Sequence, residues 1–420
     1  MNRAVITGLG FITSIGNSKA TVLENLRAGR HGIAPFPDWA GPECPPKLMG
    51  TIKEFSFPSA DFEDWTHPAE YRLRRELMRP MTPNAFMSHC AMKQAIADAK
   101  LDDTMVSDPR VALICSTGGS PTMLYDNLQT MTSRGVMKCQ PMSMVNSITG
   151  SLYINLVNTY KIRGGAMQTA SACASTAHAL GFALDHIRLG RRDRVFVVGA
   201  EDPLSLSILP FACIRALSTQ SDPELAPRAF DVARDGFVGT GGAVALVVES
   251  LEAAEARGAG VYAELKGWAE SSDGYDVFAP DPSGAGLARA MRDAIADAGM
   301  QPESIDYINA HATSTPPGDA AEITALRQVF PEGGIPKISS TKSLTGHGLS
   351  MAGAMESAFS CLAIKEGFTP ISAKITQLDP MCEGVPVVTK PIDFAPKRVL
   401  KNSSGFGGAN VALVFESFAT

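Results

Sequence analysis

Short runs of β-branched and apolar residues alternate with longer stretches of helical periodicity along the whole chain. The strand-like runs are Arg3–Thr7, Val111–Cys115, Arg194–Val198 and Ala243–Val248, and the helical stretches include Asn84–Ala99 and Ala174–Leu189. This alternation is typical of α/β proteins, in which helices cover the faces of a sheet. No linker-like tract of Pro, Ser and Gly interrupts the pattern, so we expect one compact body.

Two distant segments resemble each other. Gly241–Ser250 and Gly407–Ser417 share the pattern Gly-Gly-Ala followed by a β-branched strand and Glu-Ser, with one inserted residue in the second copy. A second half could begin at Val261, where a strand leads into glycine as it does at the amino terminus. Internal duplication and the chance likeness of two core strands both explain this pattern.

Composition narrows the function classes. The 37 Lys and Arg residues are outnumbered by 43 Asp and Glu, which gives a net charge of -6 and argues against a broadly basic nucleic-acid-binding surface. Nowhere do 18 apolar residues run together, so we expect no membrane partner. Residues 1–16 hold three glycines and lack the charged and apolar regions of a signal peptide, which predicts a first strand and a cytoplasmic protein.

The eight cysteines form no CxxC pair and no Cys/His cluster at zinc-ligand spacing, which predicts neither a disulfide scaffold nor a metal site. Cys173 has a distinct context, because Gln168–His178 runs from a strand-like segment into a helix. Unpaired backbone N–H groups at a helix start favour a thiolate, and small flanking residues admit a substrate carbonyl. A buried structural cysteine at a tight turn is the competing interpretation.

Two histidines lie in turn-rich segments that follow predicted strands. His311 follows the strand Ile305–Asn309 and opens a loop to a helix at Ala320–Phe330, and His347 precedes a helix that runs to about Lys365. A lone histidine of this kind is usually a satisfied core residue. Active-site groups of open α/β sheets gather at strand ends, so two such loops together with Cys173 indicate a site.

The segment Asn402–Asn410 places three glycines around Phe406. Glycine permits positive φ and close backbone approach, so this turn is suited to aim a backbone N–H at a ligand oxygen. The same segment is also typical of a hairpin between two strands.

Eight ordered elements resemble the β-ketoacyl-acyl carrier protein synthases I and II of the thiolase superfamily along nearly the whole chain. They are RAVITGLG at the amino terminus, TASACASTAH around Cys173, GAED at 199–202, RALST at 215–219, FDVARDGFV at 230–238, NAHATSTPPGD at 309–319, KSLTGH at 342–347 and NSSGFGGAN at 402–410.

The resemblance implies a thiolase-like fold of two similar βαβαβαββ-type halves in a five-layered αβαβα arrangement. We place the amino-terminal half at residues 1–255 and the carboxy-terminal half at 256–420. It implies a condensing enzyme of fatty acid or related polyketide or aryl-polyene elongation. An acyl group moves from a carrier protein to the cysteine. Malonyl-carrier protein then loses carbon dioxide, and its enolate attacks the carbonyl of the acyl-cysteine.

Family positions imply roles for individual residues. Cys173 is the nucleophile, and the backbone N–H groups of Cys173 and Phe406 form the oxyanion hole. His311 and His347 stabilise the enolate, with Lys342 as a nearby positive charge. The resemblance also assigns pantetheine binding to a pair of threonines, and the organisation of the histidine loops to a buried acid. These residues are Thr313, Thr315 and Glu356. No cofactor or metal is implied.

Three departures from the family pattern touch these motifs, at Ala312, at Ser350–Gly353 and at Ser404, where phenylalanine is frequent. None removes a reacting group, but each bears on substrate identity.

The implied partners are an acyl carrier protein and a second subunit. Carrier proteins of this kind are acidic, so we hypothesise that Arg75 and Arg79 in the basic segment Tyr71–Arg79 meet one; a merely solvated basic helix is the alternative. A homodimer is expected, with a heterodimer containing a related ketosynthase-like subunit as the other possibility.

Rival functions differ at identifiable residues. A biosynthetic thiolase would carry a second cysteine in the turn that holds Phe406, and an initiating type III synthase would carry asparagine at position 347. A chain-length-factor-like, non-catalytic partner would lack Cys173. No Gly-x-Ser-x-Gly elbow of a serine hydrolase occurs, and Thr13 interrupts a dinucleotide-binding glycine pattern.

Overall fold

The computed structural model describes residues 1–330 and 334–418. Its strands are β1 (Ala4–Ile12), β2 (Ile33–Pro35), β3 (Leu48–Gly50), β4 (Val111–Ser116), β5 (Ala166–Gln168), β6 (Arg194–Glu201), β7 (Gly242–Ser250), β8 (Ala263–Ser272), β9 (Tyr307–Asn309), β10 (Lys337–Ser339), β11 (Arg398–Gly405) and β12 (Ala409–Glu416).

The helices carry most of the remaining regular structure. They are α1 (Lys19–Ala28), α2 (Arg75–Met78), α3 (Pro83–Asp98), α4 (Asp103–Val106), α5 (Pro121–Arg134), α6 (Ser143–Asn146), α7 (Ser151–Tyr160), α8 (Ser175–Arg188), α9 (Ser205–Ile208), α10 (Leu251–Ala256), α11 (Ala285–Asp297), α12 (Pro316–Val329), α13 (Lys342–Thr345) and α14 (Ala352–Glu366). Within the described ranges, none of these helices has the length and apolar character needed to cross a bilayer.

Ten strands form one sheet whose order has an internal symmetry. The order is β10-β9-β11-β12-β8-β1-β7-β6-β4-β5, so each outer strand of one half has a counterpart in the other. Both halves run parallel at the edge and antiparallel toward the centre, where β1 meets β8 through three residue pairs. The two similar segments of the sequence lie in β7 and β12, which occupy equivalent places. The symmetry therefore favours duplication over chance likeness.

Helices divide the fold into five layers, as the thiolase-like expectation requires. Helix α3 packs on the outer face of β1, β6 and β7, and α11 packs on the outer face of β8 and β12. Between the two half-sheets lie α8 and α14, which contact strands of both halves. Three large apolar clusters fill the spaces between these layers. The central layer matters most for function because it carries the turn that holds Cys173.

The predicted strands and helices are present, with shifted ends. Strand β1 continues to Ile12, past the predicted end at Thr7, and every residue in it is buried. Helix α12 begins at Pro316 rather than Ala320, because proline is favoured in the first helical turn, where its missing N–H is not needed. The proposed division at residue 255 falls within α10 and stays a prediction.

Candidate active site

Cys173 lies in a tight turn between β5 and α8. The helix begins at Ser175, so the cysteine precedes its first residue by two positions and does not lie within the helix itself. Ala172, directly before it, has a φ of 48°, a left-handed conformation that costs a non-glycine residue about 1 kcal/mol. The chain therefore makes a sharp change of direction at the cysteine.

The structure brings Cys173 together with both histidines. His347 Nε2 lies 3.1 Å from the Cys173 sulfur, and the two imidazole rings are 5.3 Å apart and nearly perpendicular. One ligand atom from each of the three side chains lies within 4.8 Å of the others. All three residues are less than a tenth exposed. The residues span 174 positions of sequence, yet they form one compact cluster.

The two histidines come from the second half of the fold. His311 lies two residues after the end of β9, at the carboxyl end of a parallel strand. His347 follows α13 and Gly346, and the φ of 81° at Gly346 is one that glycine adopts without strain. The backbone N–H of His347 donates to the carbonyl of Val238 at 2.7 Å. The nucleophile and its two imidazoles therefore belong to different halves.

Burial decides the protonation of the cysteine. It raises the pKa of the Cys173 thiol to about 12, and the positive charge of Lys342 only partly offsets that effect. Burial thus opposes the thiolate expected at the helix start, because the sulfur is removed from water and precedes the first helical turn. A protonated Cys173 would donate its S–H to His347 Nε2, which lies 3.1 Å away.

Both imidazoles are held neutral. Burial, reinforced by the charge of Lys342, lowers the pKa of His311 and of His347 well below the usual histidine value. The Lys342 Nζ lies 3.3 Å from His311 Nδ1, and an ammonium group only donates hydrogen bonds. His311 Nδ1 is then the acceptor, so the ring proton is on Nε2.

A buried ion cluster lies behind the histidines. Glu356 forms an ion pair with Lys342 and a second one with Lys401, whose Nζ lies 2.9 Å from Glu356 Oε2. Neither Lys342 nor Glu356 lines the cavity described below, so both act from behind the site. The structure thus brings both predicted residues to the site, in a supporting layer.

Sequence reasoning missed two further residues of the site, Lys401 in the supporting layer and Glu322 on the cavity wall. Lys401 is fully buried in β11, and Glu322 of α12 accepts the backbone N–H of His311 at 2.9 Å and the side-chain N–H of Asn402 at 2.7 Å. A lysine directly after the apolar residues Val399 and Leu400 was the available signal, since charged groups are almost never fully buried without a partner.

One cavity of about 350 Å³ opens onto the reacting groups. Its wall includes six of the predicted site residues, namely Cys173, His311, Thr313, Thr315, His347 and Phe406. The hydroxyl oxygens of Thr313 and Thr315 lie 2.9 Å apart on this wall. Phe406 packs edge-on against Phe278 at 5.4 Å and beside Phe211 at 5.9 Å. The cavity is thus apolar beside Phe406 and polar at the two threonines.

The hairpin of Phe406 packs against the cysteine turn. A Cβ added at Gly405 would lie 2.6 Å from the carbonyl oxygen of Ser171 and 3.1 Å from the backbone N of Cys173. Only glycine permits this approach, which sets the backbone of the β11-β12 turn beside the amide of the nucleophile.

The three positions at which the sequence departs from the family pattern lie in different environments. Ala312 is buried beside His311, and Ser350 donates its backbone N–H to the buried Glu201 at 3.0 Å. Ser404 lines the cavity, where its hydroxyl donates to Asn410 Oδ1 at 2.8 Å. Of the three departures, Ala312 and Ser404 line the cavity, whereas Ser350–Gly353 do not.

Arg75 and Arg79 lie outside this cluster. Both are exposed, on or next to the single turn of α2, and Arg75 forms an ion pair with Glu63. The predicted basic segment is thus α-helical only at Arg75–Met78, after a 3-10 turn that ends at Tyr71. No ion pair of Arg79 occurs among the residues that the structure describes.

Comparisons with known proteins agree with this geometry. Residues 1–254 match the model of the beta-ketoacyl synthase N-terminal domain, and residues 262–376 match that of the C-terminal domain. The chain is 40% identical to 3-oxoacyl-[acyl-carrier-protein] synthase 1 of Haemophilus influenzae, over all of both chains. It is 39% identical to the synthase 1 of Escherichia coli K12, over 99% of this chain and 98% of the relative.

Solved structures show the same fold. A beta-ketoacyl synthase from Burkholderia phymatum STM815 superposes with a TM-score of 0.91 at 31% identity, over all of both chains. The ishigamide ketosynthase/chain length factor does so with a TM-score of 0.88 at 28% identity, again over all of both chains. With the site and both domain models in agreement, the chain belongs to the β-ketoacyl synthase family.

Proposed function

We propose that the chain is a 3-oxoacyl-acyl carrier protein synthase, which condenses an acyl group on Cys173 with malonyl-carrier protein. The reaction elongates the acyl chain of a fatty acid or of a related polyketide or aryl polyene. The observation that carries the proposal is the Cys173, His311 and His347 cluster on one cavity, with His347 Nε2 3.1 Å from the sulfur. A non-catalytic, chain-length-factor-like role would leave this cluster without a use.

The first step is acyl transfer to the cysteine. As the sulfur attacks the thioester carbonyl, His347 Nε2 accepts the thiol proton and then passes it to the departing pantetheine sulfur. The negative charge on the carbonyl oxygen needs two fixed donors, and we assign this oxyanion hole to the backbone N–H groups of Cys173 and Phe406. The close packing of Gly405 against the Cys173 amide supports the assignment. The step neither gains nor loses a proton.

The second step is decarboxylation of the malonyl group. The bond to the carboxylate breaks, carbon dioxide leaves, and the electron pair forms an enolate. After loading, the acylated sulfur no longer donates to His347, so the neutral His347 ring carries its proton on Nε2. His347 and His311 then each donate an N–H to the enolate oxygen, and the charge of Lys342 lies behind His311. The enolate carbon then attacks the acyl-cysteine, and the sulfur leaves and regains one proton from solvent.

The supporting residues have positioning roles in this proposal. Lys342 fixes the tautomer of His311, and Glu356 balances the charges of Lys342 and Lys401. Thr313 and Thr315 bind the amides of the pantetheine arm from the cavity wall. Side chains, backbone amides and solvent supply or receive each proton in the proposed reaction and stabilise each charge, so we propose that no metal or other cofactor takes part.

The direct test supplies purified protein with acyl- and malonyl-carrier proteins of several chain lengths. Carbon dioxide release and the mass of the acyl-enzyme are followed together. The proposal requires an adduct on Cys173 and a 3-oxoacyl product on the carrier. A protein that forms neither with any chain length would contradict it.

The partner that delivers the substrate is an acyl carrier protein. A solved neighbour at 26% identity and a TM-score of 0.86 is a type II polyketide ketosynthase in complex with its acyl-carrier protein. Arg79 is exposed, whereas Arg75 is already engaged by Glu63. We therefore place the larger share of the contact with the acidic carrier at Arg79.

Charge reversal at this surface is expected to weaken carrier binding. The Arg79→Glu variant should raise the KM for carrier protein about tenfold, and Arg75→Glu should raise it less, because rim charges act mainly on encounter. Steady-state kinetics from low to high salt measure both effects, and the salt dependence should become shallower. The matched control is Lys390→Glu, an exposed lysine in the other half. Unchanged KM and salt dependence in the double variant would contradict the assignment.

We also propose a homodimer. An exposed apolar surface covers α5 and the segment after it, including Tyr125, Val136, Met137 and Met144. The neighbouring edge strand β5 is exposed at Ala166 and Met167, whereas the opposite edge strand β10 is covered by a bridge between Ile338 and Val387. An open edge beside an apolar surface suits antiparallel pairing with a second copy.

A charge at the centre of β5 is expected to break this dimer. Met167→Glu would place two carboxylates close to the two-fold axis, and we expect the dimer dissociation constant to rise about 100-fold or more. Analytical ultracentrifugation measures it, and Val232→Glu, at an exposed apolar residue elsewhere, is the control. Wild-type protein that stays monomeric until a related ketosynthase-like subunit is added would replace the homodimer by a heterodimer.

The proposed location is the cytoplasm. All eight cysteines lie within the described residues and are free thiols. Free thiols are typical of proteins in a reducing compartment.

A further inference from the structure

A chain of three polar side chains lies beside the nucleophile turn, outside the cavity. The Ser171 hydroxyl oxygen lies 2.7 Å from His178 Nδ1, and His178 Nε2 lies 2.7 Å from Glu270 Oε2. Ser171 is two residues before Cys173, and His178 is in the first turn of α8. None of the three has a part in the mechanism above.

The direction of these hydrogen bonds follows from the acceptor at one end. A carboxylate only accepts, so His178 carries a proton on Nε2 and donates it to Glu270. In the neutral ring, Nδ1 is then free to accept the hydroxyl proton of Ser171. Each group thus fixes the orientation of the next.

The turn that receives this support is strained and closely packed. Ala172 has positive φ, and Ser175 Oγ bonds both sides of it, accepting from the Ser171 N–H at 2.8 Å and donating to the Ala172 carbonyl at 2.6 Å. The carbonyl of Ser171 faces Gly405 of the hairpin. A shift of Ser171 would therefore move the amide of Cys173 relative to that of Phe406.

The far end of the chain is anchored in the other half of the fold. Glu270 is in β8 and pairs with Val411 of β12. The His178 ring is flanked by Phe182 and Trp268, with ring centres 6.1 and 6.4 Å away. The connection thus runs from the nucleophile turn in the first half to a strand of the second.

We infer that Ser171, His178 and Glu270 form a positioning relay that sets the geometry of Cys173 for acyl transfer. The inference rests on the proposed function. His178 and Glu270 touch neither substrate nor the reacting sulfur, and they act through Ser171. The relay serves the loading step, whereas decarboxylation depends on His311 and His347 on another wall of the cavity.

The test replaces His178 by phenylalanine, which keeps a ring between Phe182 and Trp268 but removes both nitrogens. We expect acyl loading of the His178→Phe variant to fall about tenfold or more, because a small misplacement of reacting groups is costly. Alkylation of Cys173 by iodoacetamide, followed by peptide mass, should slow as well. Malonyl-carrier decarboxylation should stay within about twofold of wild type.

Two further variants separate positioning from folding. His178→Gln keeps one acceptor and one donor and is expected to recover most of the loading rate. His186→Phe makes the same substitution two turns further along α8, and its rates should match the wild type. Loading and alkylation at the wild-type rate in His178→Phe would overturn the inference. Equal loss of loading, decarboxylation and thermal stability, without rescue by glutamine, would overturn it too.

Alkylation also keeps this test apart from that of the proposed function. If wild-type protein loads no acyl group at all, the proposed function fails. The alkylation rates of Cys173 in the wild type and in the His178→Phe variant still show whether the relay sets the cysteine geometry.

Discussion

Cys173→Ser is expected to lose acyl loading and condensation by about 1,000-fold or more, while it still releases carbon dioxide from malonyl-carrier protein. A serine hydroxyl is a far weaker acid than a thiol, and neutral His347 is too weak a base to activate it in a buried site. Both imidazole donors remain in the variant, so enolate formation keeps its stabilisation. In this variant, acyl loading should therefore be lost while decarboxylation continues.

Intact-protein mass reports loading, and labelled carbon dioxide reports decarboxylation. Cys213→Ser is the matched control, because Cys213 is an exposed thiol that the mechanism does not use. An acyl-ester on residue 173 that forms at a rate near that of the wild type would contradict the assignment of the nucleophile. Loss of both half-reactions with unchanged folding would contradict the separate role of the histidines.

His311→Ala and His347→Ala are each expected to lower decarboxylation by about 100- to 1,000-fold, which is the usual effect of removing one preorganised donor to a developing oxyanion. Loading should separate the two variants. His347 Nε2 is 3.1 Å from the sulfur and accepts its proton, so His347→Ala should load much more slowly. His311→Ala should load at close to the wild-type rate.

Single-turnover loading and steady-state carbon dioxide release measure these effects. His311→Asn, which restores a neutral N–H donor, should recover part of the decarboxylation rate. Full condensation activity in either alanine variant would contradict the roles given to the imidazoles. Equal loading in both would contradict His347 as the acceptor of the thiol proton.

Much of the fold followed from the sequence alone. Periodicity located β4, β6, β7, α3 and α8 to within a few residues, because their buried faces impose regular patterns. The likeness of Gly241–Ser250 to Gly407–Ser417 left duplication open. The strand order decided in its favour, since pairing between distant strands leaves no mark in local periodicity.

The members of the site were predictable, but their protonation was not. Motif order brought Cys173, His311 and His347 to one place because strand ends of an α/β sheet converge. The pKa of Cys173 depends on how completely the assembled halves exclude water, which no local pattern records. The partners of Glu356 and His178 come from β11 and β8, so they too required the tertiary structure.

The division of labour between the halves has a consequence for biogenesis. One half supplies the sulfur and the other supplies its proton acceptor, so a nascent or partly folded chain holds an isolated thiol without either imidazole. Such an intermediate lacks the means to cleave the cell's thioesters. The active site is therefore assembled only when the second half has folded against the first, so that catalytic activity requires complete folding.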